Sequence, residues 1–102
     1  MQKNMMKRLQ KIQADMEKAQ QELGEERIEG SSGGGAVKVV SNGHQELLEI
    51  HIDPSAVDPD DVEMLQDLVL AACNEALRKA KTASEIRMSK ATGNLSIPGI
   101  KL

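Results

Sequence analysis

The sequence contains no Phe, Trp or Tyr among its 102 residues. Its apolar core must therefore be built from Leu, Ile, Val, Met and Ala, which are smaller than the aromatic side chains that dominate most cores and interfaces. A small domain of this composition gains much from oligomerisation. The absence of aromatics also argues against RNA-recognition and OB-type domains, which hold single strands on aromatic stacking platforms.

Cysteine and long apolar runs are scarce as well. Cys73 is the only cysteine, so the chain has no internal disulfide, and we interpret it as a small core residue of a helix. No apolar run approaches the length of a membrane span, and the N-terminus lacks the hydrophobic stretch of a signal peptide. We expect a cytoplasmic protein with one domain over residues 1–92 and an irregular tail over residues 93–102.

No pattern typical of a catalytic or metal site is present. His44 and His51 flank one predicted strand without the cysteines or the helical ligand pair of a zinc site. The acidic residues between 58 and 67 lack the spacing of a calcium loop. The glycine-rich segment 30–35 lacks the Lys-Ser/Thr of a phosphate-binding loop and is expected to be a flexible connection. We therefore expect no enzyme activity, no metal, no cofactor and no small-molecule substrate.

Apolar periodicity predicts two helices that flank three strands. The first helix covers residues 2 to about 24, where Gly24 provides a stop signal. The strands are expected over 25–31, 37–40 and 47–52. In the last strand, two sets of residues alternate and so lie on opposite faces: Leu48, Ile50 and Ile52 on one, Leu47, Glu49 and His51 on the other. The expected class is α+β, an αβββα protomer with a three-stranded antiparallel sheet and two long helices.

Two turn signals set the boundaries of the later elements. Asn42-Gly43 favours a type I′ hairpin, in which both central residues have positive φ. Asp58 is expected to cap the second helix, with Pro59 at its first helical position. That helix should end near residue 92. At 1.5 Å per residue it is about 50 Å long, so its far end should project from the body.

The first helix carries an apolar stripe that fits a coiled coil. Its members recur at alternating spacings of four and three, which is a heptad pattern: Met5, Leu9, Ile12, Met16, Ala19 and Leu23. Such a stripe is buried only when a partner helix lies along it. We expect a homodimer, either packed through helices or strand-exchanged, with an interface that includes Met5, Leu9, Ile12, Met16 and Leu23.

Charge is unevenly distributed in this chain of net charge −3. The first 20 residues carry five basic and two acidic side chains, and the residues from 71 onward carry six and two. Local potential attracts phosphates more directly than net charge does. The candidate contacts with duplex DNA are Lys3, Lys7, Arg8 and Lys11, then Arg78, Lys79, Lys81, Arg87 and Lys90. On the residues alone, a solvated coiled-coil face explains the same basic side chains at least as well.

The order of these segments resembles the YbaB/EbfC family of bacterial nucleoid-associated proteins. The resemblance extends over nearly the whole chain and is carried by MMKRLQKIQADMEKAQ, IEGSSGGGAVKVVSNG, LEIHIDPS and DVEMLQDLVLAACNEALRKA. The tail IPGIKL is a variant of the family's Pro-Gly ending, with Ile100 where a Phe commonly stands.

The resemblance implies a homodimer whose helices project like tweezers and bind double-stranded DNA with little sequence specificity. It further implies a role in nucleoid organisation and gene regulation, without catalysis, and it shifts the preference for the basic residues towards DNA contact. The alternative is a protein–protein adaptor, in which the methionine-containing stripe of the first helix docks a helix of another protein.

Overall fold

The computed structural model describes residues 2–93, and over them it contains two α-helices and an antiparallel sheet of strand order β1-β2-β3. The elements are α1 (Gln2–Glu25), β1 (Ile28–Ser32), β2 (Val37–Ser41), β3 (Leu47–Ile52) and α2 (Val62–Ala91). This order confirms the α+β class and the αβββα protomer. The predicted irregular tail lies outside the described residues, apart from its first residue, Gly93.

Small residues allow α2 to pack closely on β1 and β2. A Cβ added to Gly30 of β1 would lie 2.4 Å from the Ala76 nitrogen and 2.5 Å from the Ala72 oxygen, so only glycine fits there. Ala72 and Ala76 are fully buried against Val37 and Val39 of β2. The core is thus a thin layer in which close backbone approach replaces large side chains.

The apolar side chains of β3 are not covered by α2. Ile50 and Ile52 pair with Val39 and Val37, and directly opposed residues of an antiparallel pair share a face of the sheet. Both valines are fully buried, yet Ile50 and Ile52 remain 48% and 39% exposed. One face of the edge strand is therefore apolar and open.

A bulge changes the predicted alternation at the start of β3. Val40 pairs with Glu49, whereas the next residue of β2, Ser41, pairs with Leu47. Leu48 is therefore the extra residue of the bulge, and the pairing that strict alternation predicts is wrong at this end of the strand. Both leucines are exposed.

The connection between β2 and β3 is longer than the predicted type I′ turn. Neither Asn42 nor Gly43 has positive φ, and Gln45 has φ 61° instead. The Asn42 side chain accepts a hydrogen bond from the His44 backbone N–H at 2.9 Å. Gly43 is required for close approach, because its N–H donates to the Leu23 carbonyl at 2.7 Å and a Cβ would lie 2.8 Å from that oxygen.

The second helix begins at Val62, three residues later than predicted. Asp61 is its N-cap, and its carboxylate accepts from the Met64 N–H at 3.2 Å. Asp58 instead accepts from the Asp60 N–H at 2.9 Å in the preceding turn. Several aspartates in succession can each act as a cap, so the sequence did not identify the one used. The predicted end near residue 92 is confirmed.

The protomer is elongated rather than round. Its extents are 70 × 28 × 16 Å, and its radius of gyration is 19.2 Å, against about 13 Å for a compact domain of 100 residues. Its helices are longer than its sheet. The last turns of α2 pack against the last turns of α1, and the side chains of residues 3–11 of α1 are exposed.

Candidate nucleic-acid interface

The first turns of α1 form an exposed basic surface. Lys3, Lys7 and Lys11 are spaced by four residues and therefore lie along one face of the helix, with Arg8 beside them. All four side chains are exposed, and none forms an ion pair with another residue in the described range 2–93. Their charges are thus available to neutralise phosphates.

The apolar stripe of α1 is exposed at its N-terminal end and buried within the protomer at its C-terminal end. Met5 and Leu9 are 66% and 60% exposed, whereas Ile12 and Met16 are half-buried. Leu23 is fully buried within its own protomer, where its side chain lies against Gly43. Of the residues expected at a dimer interface, the first four therefore still offer surface to a partner, and Leu23 offers none.

The basic residues of α2 do not share one face. Lys79 and Lys90, eleven residues apart, lie on nearly the same side of a helix, whereas Lys81 lies almost opposite Lys79. Arg78 is next to Lys81 in this projection. Arg78, Lys81 and Lys90 are exposed and make no ion pair within the part of the chain that the structure describes.

Lys79 closes the free edge of β1. Its Nζ lies 3.1 Å from the Glu75 carboxylate and donates to the Glu29 carbonyl at 3.1 Å. The Ser31 N–H on the same edge donates to Glu75 at 3.4 Å. The hydrogen bond from Lys79, followed by that from Ser31, lowers the pKa of the Glu75 carboxyl below its ordinary value. Lys79 thus has a structural partner in the protomer.

Arg87 is held between a carboxylate of α1 and one just beyond its end. Its guanidinium pairs with Glu22, in the last turn of α1, and with Glu26, the first residue after that helix, and its side chain is 35% exposed. The next residue, Met88, receives a contact from the Gln20 amide at 3.4 Å. Arg87 is among the DNA contacts predicted from the sequence, and its partners were not predicted because they lie more than 60 positions away in the chain.

The histidines and the cysteine participate in local packing. The His44 ring lies 2.8 Å from the Gln20 carbonyl, and the His51 ring lies 2.7 Å from the Glu49 carboxylate. Cys73 is half-buried against the core. Over residues 2–93, no three His, Cys, Asp or Glu side chains are grouped so as to hold a metal ion. In the same range, neither helix has the length and apolarity needed to cross a bilayer.

Comparison with known proteins supplies a family. The model of the YbaB/EbfC DNA-binding family matches residues 1–95. A protein of Pelotomaculum thermopropionicum named nucleoid-associated protein is 56% identical over 96 residues, which cover 94% of this chain and 91% of that protein. A protein of Moorella thermoacetica with the same name is 58% identical over 95 residues, covering 93% and 91%.

A solved structure supports the fold. The crystal structure of an uncharacterized protein from Helicobacter pylori superposes with a TM-score of 0.67 at 26% sequence identity. The match covers 86% of this chain and 89% of that one. The two helices and the sheet therefore recur together in a protein of much lower sequence similarity.

Proposed function

This chain belongs to the YbaB/EbfC DNA-binding family, and from that premise we propose that it binds duplex DNA with little sequence specificity as a nucleoid-associated protein. The observation that carries this proposal is the exposed basic end of α1. Lysine and arginine there displace counterions from phosphates, which provides affinity without reading bases. Contacts from Lys3, Lys7, Arg8 and Lys11 come first, and Arg78, Lys81 and Lys90 of α2 add exposed positive charge.

The acting species in this proposal is a homodimer that presents two paired arms, like tweezers, to the duplex. Two open apolar surfaces support it. One is the outer part of the α1 stripe, formed by Met5, Leu9, Ile12 and Met16. The other is the uncovered face of β3, with Ile50 and Ile52. Burying such surfaces is the main gain available to a small protein without aromatic side chains.

Within the cell, the protein would coat or bridge DNA in the nucleoid of the cytoplasm and influence gene regulation. Backbone binding suits that role, because it operates on any sequence. The proposal includes no catalytic step and requires no cofactor.

Fluorescence anisotropy with labelled duplexes at several salt concentrations tests the proposal. We expect log-linear loss of affinity with salt and similar affinities for unrelated duplexes. Replacing Lys3, Lys7, Arg8 and Lys11 by Gln should reduce the salt slope by about 0.9 for each lost contact. The control variant, Lys18→Gln with Lys38→Gln, removes positive charge elsewhere and should change binding much less. Absence of wild-type binding at low salt would refute the proposal.

The adaptor function is the second candidate, and the exposure of Met5 and Leu9 favours it. A stable homodimer that covers this stripe leaves no surface for the helix of another protein. Light scattering coupled to size-exclusion chromatography therefore separates the two functions. A monomer at micromolar concentration, with no affinity for duplexes, would favour the adaptor.

A further inference from the structure

The helix that carries the basic surface is attached to the protomer near its other end. Among the described residues of α1, those that are buried are Ala19 and Leu23. The Leu23 carbonyl accepts the Gly43 N–H, and the Gln20 carbonyl contacts the His44 ring. The direction in which α1 points is therefore determined by contacts in its last turns.

Arg87 provides the cross-link from α2 at this point. Its guanidinium contacts Glu22 of α1 and Glu26 just after α1 together, and paired bonds from a planar guanidinium restrict orientation as well as distance. Glu22 lies between the two buried positions, and Glu26 is the first residue after the helix. One side chain of α2 thus limits both rotation and tilt of α1.

A small change at this cross-link moves the basic surface far. Lys3 lies 19 residues before Glu22, which corresponds to about 28 Å along the helix. A tilt of about 10° at the attached end would therefore displace Lys3 by about 5 Å. Phosphates on a duplex have set positions, so a helix that is free to tilt must be reoriented before its basic residues meet them, and this reorientation lowers the affinity.

We propose that Arg87 is a positioning residue for DNA binding, which directs α1 through Glu22 and Glu26 and contacts no phosphate itself. The inference rests on the proposed function and deepens it. It also replaces the sequence-based expectation that Arg87 binds DNA directly. In the protomer, the guanidinium is already neutralised by two carboxylates, whereas Lys3 and Lys7 are unpaired within residues 2–93.

The double variant Glu22→Gln, Glu26→Gln separates positioning from direct contact. It releases Arg87 and removes two negative charges. If Arg87 contacts phosphate directly, the variant should therefore bind DNA more tightly. If Arg87 positions α1, the variant should bind DNA more weakly. The matched control, Glu17→Gln with Glu25→Gln, removes two exposed carboxylates of α1 that have no ion pair in the described range. At equal salt, we expect affinity at least threefold below that of the control, and affinity equal to or above the control would overturn the proposal.

Arg87→Gln supplies a second measurement on DNA. If Arg87 acts only by positioning α1, this variant should bind DNA with lower affinity but with an unchanged salt slope. A slope reduced by about 0.9 would show that Arg87 itself neutralises a phosphate, and it would overturn the proposal. If this variant fails to fold by circular dichroism, the double variant decides alone.

The Met88 methyl resonance reports the cross-link without DNA. Met88 contacts Gln20 of α1 next to the ion pairs, so its ¹³C-methyl shift should move in Arg87→Gln and in the double variant, and stay in place in the control. An unmoved resonance would overturn the positioning role whatever the DNA result. Failure of the wild-type protein to bind DNA, with the Met88 shift as expected, would instead count against the proposed function.

Discussion

The two edges of the sheet differ: side chains of α2 close the β1 edge, whereas the β3 edge is open. At β1, Lys79 and Glu75 of α2 bond to the backbone of the outer edge, and Gly30 allows the helix to lie directly on the strand. At β3, Ile50 and Ile52 are exposed. Native sheets usually cover or disrupt an exposed apolar edge strand, because it recruits other chains. The β1 edge is therefore completed within the protomer, and β3 is the edge that the proposed dimer would use.

The largest effect is expected from disturbing the closed edge. Gly30→Val would place a Cβ 2.4 Å from the backbone of α2, and the helix would have to move from the sheet. We expect a loss of about 3 kcal/mol or more in the free energy of unfolding, measured in urea.

Gly34→Ala is the control for this variant. Gly34 has φ 68° and no atom within 4 Å of an added Cβ, so only the backbone conformation is penalised, by about 1 kcal/mol. Equal losses in the two variants would contradict close approach as the reason for glycine at position 30.

A smaller effect, on assembly rather than folding, is expected at the open edge. Ile50→Asp should weaken the proposed dimer at least about thirtyfold, since burying an unpaired carboxylate costs about 2 kcal/mol or more. The protomer should lose little stability, because Ile50 is already half exposed. Sedimentation equilibrium measures the dimer.

His51→Asp is the matched change, because it lies next along the strand on the opposite face. It should leave the dimer largely intact. Equal dissociation by the two variants would remove the apolar face of β3 from the interface and leave the α1 stripe as the remaining surface.

The smallest effect is expected from the ion pair on the closed edge. The Lys79 hydrogen bond lowers the pKa of Glu75 from its ordinary value of 4.5. A lowered native pKa contributes stability that is present above that value and is lost as the pH falls through the native pKa. Because both side chains are exposed, the contribution is small.

Glu75→Gln should therefore lower the thermal midpoint slightly at pH 7, and this effect should shrink as the pH falls towards and through the native pKa and the carboxyl becomes protonated. Melting curves at pH 7 and at pH 3 measure this difference. The same loss at both would show that the charge of Glu75 contributes nothing to closing the edge.

Residue spacing predicted the helices and strands well where neighbouring residues alone determine the structure. The spacing of Met5, Leu9 and Ile12 with an uninterrupted run of helix formers was enough to predict α1, and alternating β-branched residues were enough for β2 and most of β3. Where several local solutions were available, prediction was wrong. Asp58 and Asp61 can both cap a helix, and Gly43 suits both a turn and a close contact.

The candidate site was predicted in composition but not in arrangement. The excess of positive charge before residue 20 and after residue 71 was visible in the sequence, and so were all nine basic candidates. The sequence did not show which of these nine side chains are already paired within the protomer. Lys79 and Arg87 have partners, Glu29 and Glu22 among them, that are at least 50 positions distant.

The sequence by itself determined the class of the protein, the position of its helices and strands and the basic ends, because periodicity, turn residues and charge act over a few neighbouring positions. Only the tertiary structure decided that α2 covers β1 and β2 but not β3, and that Leu23 is buried inside the protomer. It also decided that Arg87 is bound to α1. These features depend on which distant segments meet, and helix-on-sheet packing is set by side-chain volume and backbone approach across the whole fold.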